Sequence, residues 1–130
     1  MTANNWPTEK WPTGVPREIS GFEKPAFSIL DNSADAYPEK VCTIFNGAAR
    51  TYAQVRDTAN RVAAFLAAGG IKKGDRVAIF LPNIPHYPAI YFGILKAGAV
   101  CVTCNPLYTA SELNFQLKDS GVRTLFCMDH

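Results

Sequence analysis

The chain has 130 residues, of which 48% are hydrophobic and 18% charged, and its formal net charge is +2 at pH 7. This length suffices for one domain with a buried core, and the composition is that of a globular protein rather than a disordered or collagen-like one. Because the basic excess is small and scattered, neither nucleic acid nor an anionic membrane surface is indicated as a partner.

The first segment, residues 1–25, contains four prolines and the tryptophans Trp6 and Trp11. Proline fixes its own φ and favours an extended conformation in the residue before it, so this segment is predicted to be an extended arm. The tryptophans indicate that the arm lies on a surface. A homodimer contact through the arm is one hypothesis.

No targeting or membrane segment is apparent in the sequence. The N-terminus lacks the apolar core of a signal peptide, and Lys96 and several glycines interrupt the longest apolar stretch, residues 87–104. A transmembrane helix needs about 20 apolar residues. The sequence therefore predicts a cytoplasmic protein without a transmembrane segment, whose four cysteines are reduced thiols.

Three elements are predicted in the first half of the chain. A short helix over residues 25–36 ends before Pro38, and its apolar face comprises Phe27, Leu30 and Ala34. The β-branched run 41–45 predicts a strand, and the turn signal at 46–48 predicts a hairpin with the residues before Thr51.

The next predicted helix has the clearest boundaries. Thr51 with Gln54 three residues later forms a capping-box pattern, and Gly69-Gly70 predicts a left-handed end. Its apolar stripe is predicted to comprise Tyr52, Val55, Ala59, Val62, Ala63 and Leu66, and its polar side Gln54, Arg56, Asp57, Asn60 and Arg61.

The remaining sequence predicts a strand–helix–strand–helix–strand unit. Its strands are residues 75–81, 99–104 and 122–128; one helix opens at Asn83 and Pro85 and ends at Gly98, and the other runs from Thr109, with Glu112 in capping-box position, to Gly121. The inward residues of the helices are predicted to be Tyr87, Ile90, Tyr91, Ile94, Leu95, Leu113 and Leu117. Since crossover connections are right-handed, the three strands should be parallel, and the fold class is α/β, a βαβαβ parallel-sheet unit.

Cys101 and Cys104 form a Cys-x-x-Cys motif, which suggests either a redox dithiol or half a zinc site. On the predicted strand, side chains three residues apart point to opposite faces, so these two thiols should not bind one metal or pair with each other. Other possible ligands, none at a familiar spacing, are Cys42, Cys127, His86 and His130. The interpretation we favour is core packing.

Other chemical signals in the sequence are weak. The glycine- and lysine-containing segment 69–75 follows a helix and precedes a strand, which is the reverse of a phosphate-binding loop. His86 is expected to be a surface residue at a helix start. The acidic residues Asp31, Asp35 and Glu39 are expected to form a solvated helix edge. No Ser/His/Asp set is supported by spacing.

Several short motifs resemble one enzyme family. They are Thr51-Tyr52, Lys73–Val77, Pro82-Asn83, Gly93–Gly98, Asn105–Thr109, Glu112-Leu113 and Asp119–Gly121. Through these motifs, residues 26–130 resemble the N-terminal region of the AMP-forming acyl-CoA synthetases. The resemblance implies that they form a partial N-terminal subdomain of the large domain of an adenylate-forming ligase. The segments 87–98 and 105–113 are most similar to bacterial long-chain fatty-acid–CoA ligases. Aryl-CoA ligases of the coumarate type share the central motifs.

The resemblance implies a two-step reaction in which a fatty acid or other carboxylate reacts with ATP and Mg²⁺, and CoA then displaces AMP to give the thioester. It also implies that the phosphate loop, the ribose-binding acidic residue and the adenylation lysine would lie after His130. We therefore assign no catalytic, cofactor-binding or metal-binding residue, and expect a truncated chain that is inactive alone. The full-length enzyme could be peripheral at the membrane. A nonenzymatic βαβ module that binds a partner through its open sheet edge is the alternative.

Overall fold

The computed structural model describes residues 12–15 and 23–129. Residues 12–15 form a turn, in which the Val15 amide donates to the carbonyl of Pro12 at 3.3 Å. The rest of the predicted arm up to residue 22, including Trp6 and Trp11, lies outside the described residues, so its extended conformation stays a prediction.

Helices and strands follow the predicted order with slightly shorter bounds. They are α1 (Ser28–Ala36), β1 (Val41–Phe45), β2 (Ala48–Thr51), α2 (Tyr52–Ala68), β3 (Arg76–Phe80), α3 (His86–Lys96), β4 (Val100–Thr103), α4 (Ala110–Ser120) and β5 (Thr124–Cys127). Helix α1 begins three residues later than predicted, because the chain from Pro25 to Phe27 forms turns whose carbonyls accept its first hydrogen bonds.

The main sheet has the strand order β4-β3-β5, and both pairs are parallel. Val77 in the central strand pairs with Cys101 on one side and Thr124 on the other. This arrangement confirms the predicted βαβαβ unit. Strands β1 and β2 form a separate antiparallel hairpin, with Asn46 and Gly47 at positive φ in its turn.

Capping residues define the helix ends much as the sequence predicts. Complete capping boxes are present at Thr51 of α2 and at Thr109 of α4, and Gly121 ends α4 with φ 64°. The predicted left-handed end of α2 is present at Gly70, with φ 82°, whereas Gly69 has φ −77°. The first glycine still belongs to the helical turn, and the reversal follows it.

The core lies mainly between the sheet and helices α2 and α3. Val77, Ala78 and Ile79 of β3 are fully buried, as expected for a strand covered on both faces. Val77 and Ile79 pack with Ile94 of α3 and Leu66 of α2. A second cluster joins the first two helices to α3 and consists of Leu30, Val55, Ala59 and Ala89. No helix among residues 23–129 has the combined length and hydrophobicity that crossing a bilayer requires.

Candidate functional site at the carboxyl ends of the strands

The carboxyl ends of β3, β4 and β5 meet at one edge of the sheet. Open parallel sheets bind ligands outside this edge, so the loops that follow the strands are the first place to search for a site. Pro82 and Asn83 follow β3, and Asn105 and Pro106 follow β4. All four residues belong to the motifs that carry the family resemblance.

The loop after β4 is held by its own hydrogen bonds. The Cys104 amide donates to the carbonyl of Ile79 at 2.9 Å, which extends the ladder past the last strand residue. Asn105 Oδ1 then accepts from the Leu107 amide at 3.0 Å, and the Asn105 carbonyl accepts from the Tyr108 amide at 3.0 Å. These contacts form an Asx turn that directs the chain into α4.

The N-terminus of α4 is closed by its capping box. The Thr109 amide donates to Glu112 Oε2 at 2.8 Å, and the Thr109 hydroxyl accepts from the Glu112 amide at 3.4 Å. Hydrogen bonds from the Thr109 side chain and then its backbone hold the pKa of Glu112 below its usual range. A fixed carboxylate at this helix end disfavours a phosphate there and leaves Glu112 poorly placed as a free general base.

Two open grooves flank α4. One, of about 520 Å³, lies between α4 and the carboxyl ends of β3 and β5 and is lined by Phe80, Pro82, Pro106, Leu107, Leu113, Leu125, Cys127 and Met128. The other, of about 550 Å³, is lined by Tyr108, Ser111, Glu112, Phe115, Gln116 and Asp119. The first groove is almost entirely apolar and carries no side chain suited to acid–base or phosphate chemistry.

The two thiols of the Cys-x-x-Cys motif are free and packed inside the molecule. Cys101 packs against the core on the α3 side of the sheet. Strand β4 ends at Thr103, however, so the buried Cys104 lies just outside the strand, and the argument from alternating faces applies to Cys101 alone. Burial raises the pKa of Tyr87, and the neighbouring ionisable groups of Cys101, Tyr91 and Cys104 raise it further.

Burial also makes Cys101 a weak nucleophile. It raises the pKa of the Cys101 thiol to about 11, with a smaller contribution from Cys104. Reactive and metal-binding cysteines need the thiolate, which a raised pKa disfavours. Among residues 12–15 and 23–129, no group of three or more His, Cys, Asp or Glu side chains is placed to hold a metal ion.

Lys96 connects the three N-terminal helices, a role that the sequence does not reveal. Its Nζ donates to Asp31 Oδ1 of α1 and, at 2.7 Å, to Asn60 Oδ1 of α2, and it lies 5.9 Å from the centre of the Phe27 ring. The Lys96 side chain is only 12% exposed. The expectation that Asp31 belongs to a purely solvated edge is therefore wrong, because a long-range ion pair partly buries it.

Asp35 fits the expected solvated edge, since its side chain is 73% exposed. Its carboxylate pairs with Arg56 of α2 at that surface. Part of the polar side predicted for α2 therefore contacts other helices: Arg56 contacts α1, and Asn60 contacts α3.

The motif glycines have geometric roles. At Gly93 a Cβ would lie 2.6 Å from Val62 Cβ and 2.8 Å from the Ala59 carbonyl oxygen, so α2 and α3 cross at a distance that only glycine permits. Gly98 has φ 75° and lies against Lys73. The run Gly93–Gly98 thus fixes a helix crossing, an ion pair and a turn.

Other candidate residues occupy the structural positions that the sequence suggests. His86 is exposed at the first residue of α3. The 69–75 segment is a turn between α2 and β3, in which the Lys72 amide donates to Asp75 Oδ2 at 2.7 Å. The assignment of no catalytic, cofactor or metal residue stays a prediction.

Comparison with known proteins gives a consistent result. The family model described as AMP-binding enzyme matches residues 30–130. The long-chain-fatty-acid–CoA ligase of Bacillus subtilis is 40% identical over 120 residues, which cover 92% of this chain and 21% of that enzyme. This chain thus spans about a fifth of the length of that relative.

Solved structures show the same fold. A Mycobacterium tuberculosis fatty acyl CoA synthetase matches with a TM-score of 0.72 and 37% identity over 76% of this chain and 20% of that one. The N-terminal subdomain of Klebsiella oxytoca NpsA, in complex with 3-hydroxyanthranilyl-AMSN, matches with a TM-score of 0.74 and 28% identity over 78% of this chain and 26% of that one. The motifs, the parallel βαβαβ topology and these matches together establish that this chain belongs to the AMP-binding enzyme family.

Proposed function

We propose that this chain is the N-terminal structural segment of an ATP-dependent fatty-acid–CoA ligase. The observation that carries the proposal is the 40% identity to a long-chain-fatty-acid–CoA ligase across 92% of the chain. The shared motif residues are the ones whose geometry builds the fold, such as Gly93 and Lys96. They support a common scaffold rather than a chance similarity of composition.

The reaction proposed for the whole enzyme has two steps. A carboxylate oxygen attacks the α-phosphorus of ATP, forming an acyl-adenylate and releasing pyrophosphate. The CoA sulfur then attacks the acyl carbon, and AMP leaves as the thioester forms. Mg²⁺ would neutralise phosphate charge, and positioning with charge stabilisation would supply most of the catalysis.

In that enzyme, the proposed role of this chain is to hold in place the edge of the sheet at the carboxyl ends of β3, β4 and β5. Its three parallel strands are fixed by the turn at Asn105, the α4 cap at Thr109 and the close α2–α3 crossing. Asn105, Thr109 and Glu112 at this edge are engaged in a turn and a cap, and this supports a scaffold role. Within residues 23–129 we assign the segment no catalytic group.

Location and assembly are further proposals. We place the enzyme in the cytoplasm, either free or peripheral at a membrane where its fatty-acid substrate partitions. A homodimer contact through residues 1–25 is retained as part of the hypothesis. Fractionation of a tagged chain and its mass in solution would test these two points separately.

A chimera tests the proposal. The matching segment of the Bacillus subtilis ligase is replaced by this 130-residue chain, and ATP–pyrophosphate exchange is measured with palmitate or with 4-coumarate. We expect palmitate-dependent exchange in the chimera and none from the chain alone. A folded chimera inactive with both acids would contradict the proposal.

A further inference from the structure

Basic residues from the second half of the chain gather at one edge of the main sheet. They lie at the amino ends of β3 and β5 and in the last turn of α4, and all of them are exposed. We call this surface the basic edge; it comprises Lys72, Lys73, Arg76, Lys118 and Arg123. The one other basic residue after β2 and α2 is Lys96, which is mostly buried against Asp31.

Contacts around Arg76 join the basic edge into one continuous surface. The Arg123 amide donates to the Arg76 carbonyl at 3.5 Å, where β5 begins beside β3. A Cβ at Gly121 would lie 3.7 Å from Arg76 Nη1, and the Gly121 amide donates to the Lys118 carbonyl at 3.2 Å. The remaining two lysines belong to the tight turn that leads into β3. The end of α4 and the starts of two strands therefore share this surface.

The charge of the basic edge is not neutralised by its neighbours. Its five side chains form no ion pair with a carboxylate within residues 12–15 and 23–129. Asp75 and Asp119 are the acidic residues adjacent in sequence, and Asp75 Oδ2 accepts a hydrogen bond from the Lys72 amide at 2.7 Å. Five positive and two negative charges leave +3 here, whereas the whole chain has a formal net charge of +2. The positive charge of the molecule is thus concentrated at this edge.

Folding changes the argument about anionic partners that the sequence supports. In the sequence the basic residues are scattered, and for that reason an anionic surface is not indicated. In the fold, the loops that lead from helices into strands all lie at the amino ends of the parallel strands, so residues about 50 positions apart become neighbours. The reason for excluding an anionic surface therefore does not hold in three dimensions.

The opposite edge of the sheet has a different charge. The segments that follow the three strands, residues 81–85, 104–109 and 128–129, contain no Lys or Arg. The molecule is therefore polarised along the strand direction. At the basic edge α4 presents its carboxyl end, whose carbonyl groups disfavour an enclosed phosphate ion. Exposed cations spread over several loops fit an extended anionic surface better than a single small anion.

We propose that the basic edge docks this protein on an anionic lipid bilayer, with the amino ends of β3 and β5 toward the headgroups and the carboxyl ends of the strands toward water. Each basic residue close to such a surface strengthens binding about fivefold. Between the charged side chains lie turn residues such as Gly98 and Gly121 rather than an apolar helix face, so the attachment is electrostatic and reversible. This inference assigns a surface to the peripheral location proposed above, and it rests on that proposal.

Co-sedimentation with lipid vesicles tests the proposal. The 130-residue chain is mixed with vesicles of equal parts phosphatidylglycerol and phosphatidylcholine, or of phosphatidylcholine alone. Lys73→Gln combined with Lys118→Gln removes two charges from the basic edge. Lys40→Gln combined with Arg50→Gln is the matched control, because these exposed residues lie at the start of α2, whose 17 residues separate them from the basic edge by about 25 Å. Both double variants have the same net charge.

We expect the parent chain to bind the anionic vesicles and not the neutral ones. The partition coefficient should fall roughly 25-fold in the Lys73→Gln/Lys118→Gln variant and less than about threefold in the control. Raising the salt from about 0.1 M to about 1 M shortens the Debye length from about 10 Å to about 3 Å and should release the parent. The lipid and salt comparisons use the parent alone, so they decide the matter even if a variant does not fold.

Several outcomes would overturn the proposal. Equal binding to neutral vesicles, or binding that persists at about 1 M salt, would show that apolar insertion holds the protein. Equal losses in the two double variants would show that net charge, and not the basic edge, governs binding. Release by inorganic phosphate at constant ionic strength would identify a site for free phosphate. Binding of polyglutamate without binding of vesicles would identify an acidic protein as the partner.

The same assay on the chimera with the Bacillus subtilis ligase separates this inference from the proposed function. A folded chimera without palmitate-dependent exchange that binds anionic vesicles, and loses this binding with Lys73→Gln/Lys118→Gln, would contradict the function and support the docking surface. An active chimera whose vesicle binding is absent, or is unchanged by these two substitutions, would refute the docking surface and leave the function intact.

Discussion

Gly93→Ala tests the helix crossing that positions α3 over the sheet. The new Cβ would lie 2.6 Å from both Cβ and Cγ1 of Val62 and 2.8 Å from the carbonyl oxygen of Ala59. Ordinary contacts between carbon atoms are about 3.5–4.0 Å. Because Cβ and backbone atoms cannot rotate away, α2 and α3 must move apart by about 1 Å.

Two effects of opposite sign determine the stability of the variant. Alanine in a helix is favoured over glycine by about 1 kcal/mol, whereas overpacking a close contact costs about 1–3 kcal/mol. Since the overlaps with Val62 Cβ and with the Ala59 carbonyl oxygen cannot be relieved by side-chain rotation, we take the upper end of that range, which leaves a net loss of about 2 kcal/mol. For a chain of this size, 1 kcal/mol corresponds to roughly 4 °C, so Tm should fall by about 8 °C.

Thermal and urea unfolding of purified chains measure this change. Gly69→Ala is the control, because Gly69 has negative φ and a Cβ there would meet its nearest atoms at 3.4 and 3.5 Å. That variant should be neutral or slightly stabilised. Val62→Ala removes one overlapping atom and should partly rescue Gly93→Ala in a double-mutant cycle. A Gly93→Ala protein as stable as the parent would refute the close crossing.

Three further predictions follow from the same structure. Lys96→Met should lower the free energy of unfolding by about 1–3 kcal/mol, because it leaves the partly buried carboxylate of Asp31 without its cation. Arg56→Met, at the more exposed pair, should lower it by about 0–1 kcal/mol. Equal losses by urea titration would contradict this ranking. Thr109→Ala removes the N-cap of α4 and should lower the free energy of unfolding by about 1 kcal/mol, whereas Thr109→Ser should retain most of the stability of the parent. An unchanged urea midpoint for Thr109→Ala would count against the cap. Burial raises the pKa of Cys101 from 9.0 to about 11, so between these pH values the folded protein keeps a proton that the unfolded chain loses. The free energy of unfolding should therefore fall as pH rises through that window, and it should fall less in Cys101→Ala. The same pH dependence in both proteins would argue against a buried thiol.

Local signals predict most of the fold. The capping boxes at Thr51 and Thr109 and the glycine at 121 mark helix ends within a residue, because capping depends on neighbours three residues apart. The continuous apolar run of β3 and the handedness of crossovers predict a parallel sheet. The pair Gly69-Gly70 predicts a left-handed end of α2 without saying which glycine adopts it, since either one can; the structure has it at Gly70.

Long-range contacts are what the sequence does not predict. Lys96 and Asp31 are 65 residues apart, and nothing in local spacing indicates that α1 and α3 would bring them together. The same limit applies to Gly93, whose role depends on Val62 of another helix. Charged residues on an amphipathic face look solvated until the packing partner of that face is known.

The most direct test of the scaffold role measures palmitate-dependent ATP–pyrophosphate exchange per folded molecule in the chimera with the Bacillus subtilis ligase, with and without Lys96→Met. Below the Tm of the variant, we predict palmitate-dependent exchange at the same rate per folded molecule in both chimeras, because Lys96 joins helices rather than contacting substrate. A hundredfold loss in a fully folded Lys96→Met chimera would contradict the account, since it would place this chain's own side chain in the chemistry.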